Sequence, residues 1–169
     1  MIRLNGRTIK YIVYGVEILL VYILQSTPSL LPAFFGELPM LLTVCAVSMA
    51  VFEGDVAGMW FGLAAGLMMD VGSTAPFGFY GLIHLVICFG CGTLVMYLMR
   101  NNIVTALILG LAAVVIVCTV QWIFLAGPGG HDVTFFVPHI LLPRVAYSTA
   151  VMPLFFYFNR AIATRLYDE

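Results

Sequence analysis

Charge is what this chain has least of. Asp, Glu, Lys and Arg make up 9% of its 169 residues, against about 25% in an ordinary soluble domain. Apolar residues make up 63%, against the usual figure of about 45 to 50%. That balance excludes a water-soluble globule. It also excludes disorder, because a segment stays solvated only when its hydrophobicity is low and its charge high. The net charge of −1 gives no sign of a nucleic-acid partner. Six spans of about 20 residues would consume about 120, leaving roughly 49 for every loop and both tails. No soluble catalytic domain fits in that remainder. The expected fold is therefore all-α: a polytopic membrane protein with six transmembrane helices in one bundle, a single domain over residues 1–169.

The motifs of intramembrane chemistry are missing too. The sequence contains no HExxH, no GxSxG and no glycine-rich phosphate loop followed by Lys-Ser or Lys-Thr. Only one aspartate, Asp70, lies in or at the end of a span, so two facing aspartates are not available. Cys88 and Cys91 form a CxxC, but no second Cys or His pair completes a zinc set. With Cys45 and Cys118 they read as small residues at helix contacts. Enzyme is the least favoured class, and no cofactor or metal is expected.

What is present is a series of apolar runs: 11–25, 38–52, 56–70, 77–99, 103–125 and 137–158. The first follows a polar segment and superficially resembles a secretory signal. No A-x-A site follows it, and Glu17 interrupts it, so a retained span is expected. Connections are marked by Pro28, Pro32, Gly36 and Pro39, by residues 72–76, and by the run Gly127-Pro128-Gly129-Gly130. Spans two and three, at about 15 residues or about 22 Å, are shorter than a hydrocarbon core of about 30 Å. They are expected to sit inside a surrounding bundle or to thin the bilayer locally. With the N-terminus cytoplasmic, Arg3, Arg7, Lys10, Arg100, Arg160 and Arg165 all fall on the cytoplasmic side, and Arg144 alone lies elsewhere. The C-terminus is then cytoplasmic as well. Aromatics such as Phe34, Phe35, Trp122, Phe135, Phe136 and Tyr157 cluster near span ends, as an interfacial belt would.

The most distinctive stretch is residues 53–81, where Gly54, Gly58, Gly62, Gly66 and Asp70 recur every fourth residue. On a helix they form one stripe of minimal volume that lets another backbone approach closely, either within this bundle or on another protein. Asp70 precedes the turn Gly72-Ser73-Thr74-Ala75-Pro76 and is expected to cap it. Glu17 lies in mid-span, so it either faces a partner or wet cavity or sits protonated and hydrogen-bonded. His84 and His139 read as satisfied core imidazoles. Arg144, in the outer half of the last span, calls for a carboxylate at its own depth, with Asp70 or Glu37 the candidates. Pro143 and Pro153 imply kinks or freed carbonyls in that span.

The pattern GxxxGxxxGLxxD, a short polar turn, then Pro-Phe-Gly opening the next span resembles the family of the rod shape-determining protein MreD. Here it is carried by Gly58, Gly62, Gly66, Leu67, Asp70, Ser73, Pro76, Phe77 and Gly78. Length, span count, Arg100-Asn101 after the fourth span and a proline-bearing last span ending in basic residues extend it across nearly the whole chain. The resemblance implies a non-catalytic component of the cell-elongation machinery in the bacterial inner membrane. It also implies binding to the single-span protein MreC, helping to couple MreB filaments to peptidoglycan synthesis. Glu17 and Arg144 map to no family motif. The alternative is a substrate-binding S component of an energy-coupling-factor vitamin transporter, a family of similar size and span count with which the fold would be shared. Such components dock through an alanine-rich first helix, whereas residues 11–25 contain no alanine and only Gly15.

Overall fold

The computed structural model describes residues 6–27, 38–126 and 137–165, and among them every regular element is helical. Helix α1 is Gly6–Ser26, α2 Leu41–Glu53, α3 Asp55–Val71, α4 Phe79–Tyr97, α5 Ile103–Gln121 and α6 Leu142–Arg165. Single π-helical turns, Trp122–Ala126 and Val137–Leu141, extend α5 and precede α6. Four helical stretches are long and apolar enough to cross a membrane: Thr8–Ser26, Phe79–Tyr97, Ile103–Phe124 and Val137–Thr164. The outer helices differ from the apolar runs at their ends. The first begins at Gly6 rather than at residue 11, and the last continues to Arg165 rather than stopping at 158. Amphipathic turns such as that of Lys10 extend a helix past the hydropathy boundary.

Helix α2 is the centre. It is apolar all round, and residues 41–51 are all buried, as expected of a helix wrapped by others. It packs against α1, α3, α4, α5 and α6. Its 13 residues rise only about 20 Å, so the helices around it supply its apolar surroundings.

Successive helices run in alternating directions. At one end Lys10 of α1 meets Glu53 at the close of α2, and the side-chain amide of Asn101 donates to the Val51 carbonyl at 3.2 Å. At the other end Gln25 of α1 accepts from the Leu42 amide at 3.0 Å, and Ser148 of α6 accepts from the Met40 amide at 2.9 Å. These side chains satisfy backbone groups that a helix cannot pair internally at its termini. Between α2 and α3 the chain reverses at one residue, Gly54, with φ 85° and ψ −165°, a conformation open essentially only to glycine. In α6, Pro143 follows directly on the π-helical turn Val137–Leu141, so its missing N–H leaves a carbonyl of that turn without a ladder donor. Pro153 lies inside the helix and withholds the N–H that the Thr149 carbonyl would accept.

Candidate functional site

The glycine stripe is spent within the fold. Gly58, Gly62, Ala65, Gly66 and Asp70 are the buried residues of α3, and α3 with α4 is the most extensive helix pair. A β-carbon at Gly62 would lie 2.7 Å from Cys88 Sγ and from the His84 carbonyl oxygen. At Gly66 it would lie 2.7 Å from the Gly81 Cα, and at Gly58 2.6 Å from the Ala50 Cβ of α2. Contacts of carbon with carbon are ordinarily about 3.5 to 4.0 Å, so only glycine permits this approach. Gly92 of α4 completes the seam: a β-carbon there would lie 2.5 Å from the Gly54 carbonyl. Gly54 thus belongs to the reversal and Gly92 to the stripe's counterpart, which the four-residue spacing in α3 alone did not reveal.

Asp70 locks the far end of the same pair. Its Oδ2 accepts from the amides of Gly78 and Gly81 at 3.0 and 3.1 Å, and its Oδ1 from Tyr80 at 2.9 Å. These are the opening amides of α4, where a carboxylate is favoured by both hydrogen bonding and the helix dipole. Gly78 takes φ 95° to present its amide, a left-handed conformation that glycine adopts without cost. Ser73 Oγ closes the turn, donating to the Asp70 carbonyl at 3.2 Å and accepting from Ala75 at 3.3 Å. The network runs on into the core: the Tyr80 carbonyl accepts from His84 Nδ1 at 2.8 Å, and Thr43 Oγ1 of α2 lies 2.8 Å from His84 Nε2. Both ring nitrogens of this fully buried histidine are engaged. The sequence motif is therefore a fastening of α3 to α4.

Two further polar clusters hold α1. Lys10 pairs with Glu53, whose Oε1 also accepts from Tyr14 Oη at 2.9 Å. The sequence placed Lys10 in a polar tail and gave no hint of this pair; a search for a cation at the depth of Glu53 would have found it. A buried charge left without its partner costs about 3 to 5 kcal/mol, whereas removing both is far milder. Lys10→Met is thus expected to lower stability in detergent by an amount of that order, and Lys10→Met with Glu53→Gln to recover most of it in thermal unfolding. Glu17 is buried between α1 and α2, its Oε1 lying 3.5 Å from Cys45 Sγ. Nearby, Asn159 of α6 donates to Ser48 Oγ at 3.0 Å.

Two expectations need correction. Arg144 and Asp70 form no ion pair: both Asp70 oxygens are filled by amides 8 to 11 residues further along the chain, and Arg144 Nη1 donates to Gln121 Oε1 at 3.3 Å. Equal depth brought the two residues to the same end without bringing them together. The other candidate partner, Glu37, lies outside the described residues, as do Phe34, Phe35, Phe135, Phe136 and the 127–130 run. His139 is not a core residue either: it is exposed in the π-helical turn before α6, where the residues on either side, Val137 to Ile140, are also unburied. The four cysteines are free and buried, and no group of three or more metal-ligating side chains occurs among the described residues.

With the α3 stripe occupied, one face left open among the described residues is a groove of about 600 Å³ between α5 and α6. Leu107, Leu111 and Val115 form one wall, and Val145, Ala146 and Ala150 the other. Ala146 and Ala150 are exposed and stand four residues apart, a small-xxx-small pair of the kind that admits a neighbouring helix in lipid. Thr149 borders them, its buried Oγ1 without a partner among the described residues.

Apolar helices, fastened by glycine contacts and polar locks, define a helical membrane protein. The chain belongs to the MreD family: a match to the family described as rod shape-determining protein MreD covers residues 6–162. That family is a shape-determining one rather than a known family of enzymes. No curated protein and no solved structure matches the chain, so the likeness to transporter S components finds no support there.

Proposed function

We propose that this protein is a non-catalytic component of the bacterial cell-elongation complex that binds MreC and helps regulate peptidoglycan synthesis and cell shape. Family membership supports the role in shape. The observation that carries the binding reading is the groove between α5 and α6, apolar and edged by Ala146 and Ala150. At membrane depth only an apolar occupant fits, and small residues let a single transmembrane helix come close.

In this reading all six helices cross the inner membrane, with both termini cytoplasmic. Arg3, Arg7, Lys10, Arg100, Arg160 and Arg165 then lie inside, as the positive-inside rule requires. Reporter fusions at the two ends are expected to give cytoplasmic signals from both; opposite signals would require an odd number of spans. Depletion in a rod-shaped host is expected to give rounded, lysis-prone cells in rich and vitamin-limited media alike. A growth defect cured by a vitamin in cells that stay rod-shaped would sink the reading and favour a transporter component instead.

A further inference from the structure

Glu17 of α1 and Asn159 of α6 converge on one side of α2, 6% and 0% exposed. The Asn159 side chain stands within hydrogen-bonding reach of the Glu17 carboxyl, and its Nδ2 donates to Ser48 Oγ at 3.0 Å. That leaves Glu17 Oε2 and Asn159 Oδ1, two buried acceptors, without a donor among the described residues. Glu17 Oε1 has the Cys45 thiol at 3.5 Å, and a thiol is a weak donor. No cation among the described residues compensates the carboxyl. Lys10, two turns earlier on α1, is paired with Glu53, and Arg160, beside Asn159 in the chain, is exposed. The titratable neighbours are Tyr14 of α1, which donates to Glu53, and Cys45 of α2 with Cys88 of α4 beyond it. A phenol and a thiol are neutral or negative, so none of these supplies positive charge. A carboxylate buried in hydrocarbon with one weak donor is costly. A proton on it removes the charge and turns one of the two facing acceptors into a donor.

We infer that Glu17 is a proton-binding site: in the folded chain the proton sits on Oε2 and is donated to Asn159 Oδ1, while Asn159 Nδ2 donates to Ser48 Oγ. This relay ties α1 to α6 and α6 to α2. When the proton leaves to water, the carboxylate requires a donor, and rotation of the Asn159 amide brings one. Nδ2 then faces Glu17, and Oδ1 accepts from the Ser48 hydroxyl, which can donate as well as accept. The junction thus has two hydrogen-bonded arrangements selected by one proton, and the protonated one places no charge in the membrane. The site is separate from the groove between α5 and α6 and does not depend on a partner helix.

Infrared spectroscopy of the full chain, in a detergent without ester groups at neutral pH, tests it, because a protonated carboxyl and a carboxylate absorb at different frequencies. Wild type is expected to show a protonated-carboxyl band that is lost in Glu17→Gln and shifted in Asn159→Leu, which removes its acceptor. Glu17→Gln keeps the shape and puts an N–H donor where the O–H stood, so the fold should tolerate it. Thermal unfolding gives the second readout. Stability contributed by the proton is lost as pH rises, so from about pH 5 to about pH 9 the melting temperature of wild type is expected to fall relative to that of Glu17→Gln. The inference is overturned if wild type lacks the band, if folded Glu17→Gln retains it, or if the two proteins respond to pH alike. Should Glu17→Gln fail to fold, an unshifted band in Asn159→Leu overturns it equally.

Discussion

Gly66→Ala is expected to be among the most damaging single substitutions in the chain, although it adds one methyl group. Its β-carbon would lie 2.7 Å from both the Gly81 Cα and the Tyr80 carbonyl carbon. Those are backbone atoms of α4 and cannot rotate aside as a side chain does. The two helices must separate, which loosens contacts along the whole seam at Gly58, Gly62 and Gly92 and draws Asp70 away from its amides. Overfilling a packed core costs about 1 to 3 kcal/mol, and this site belongs at the upper end because both neighbours are main chain. Gly15→Ala and Gly90→Ala are the comparison, since a β-carbon at either meets nothing within 4 Å. Thermal unfolding in detergent is expected to show a large loss for Gly66→Ala and none for the other two. Equal behaviour of all three would mean that α3 and α4 do not approach as closely as described.

Asp70→Ala has a comparably large expected effect by a different route. It strips the acceptor from the amides of Gly78, Tyr80 and Gly81 at once, of which the Tyr80 and Gly81 bonds are buried. An orphaned buried donor costs about 1 to 3 kcal/mol, so two of them with the part-buried Gly78 point to a loss of about 2 to 4 kcal/mol after allowing for relaxation. Asp70→Asn should fall between. It keeps the shape, yet its amide nitrogen replaces one oxygen and leaves at least one donor facing another donor. Stability is expected to rank wild type, then Asn, then Ala, with Asp70→Glu failing to restore wild type because the longer side chain overshoots the turn. A wild-type melting profile for Asp70→Asn would show that charge and acceptor geometry are unimportant there.

Much of this was legible in the residues. The four-residue recurrence of glycine marks a close helix contact whatever its partner, because only backbone approach explains repeated loss of side-chain volume on one face. Which helix answers it was harder to read: Gly81, Cys88 and Gly92 of α4 fall seven and four residues apart on one face, but a cysteine among them interrupts the run of glycines. The turn after Asp70 gave away the capping role, since residue type and spacing encode a local hydrogen bond. Arg144 was harder, because depth specifies a layer of the membrane and not an azimuth around the bundle. The pairing of Lys10 with Glu53 was hidden for a related reason: a long aliphatic stem lets a residue in a polar segment reach inward, and hydropathy scores only its charge. The burial of α2 followed from its shortness and uniform apolarity.

The most direct test of the central claim, that MreC docks its transmembrane helix in the groove between α5 and α6, is co-purification of MreC with variants that fill one face at a time. Ala150→Trp places a bulky ring in the groove at an exposed position, so the fold should tolerate it. Leu82→Trp enlarges an exposed residue of α4, outside the groove lining. The expected result is wild-type thermal unfolding for both, with MreC recovery reduced about tenfold or more by Ala150→Trp, as the loss of about 1.4 kcal/mol or more would give, and unchanged by Leu82→Trp. Undiminished MreC recovery with Ala150→Trp would contradict docking in this groove.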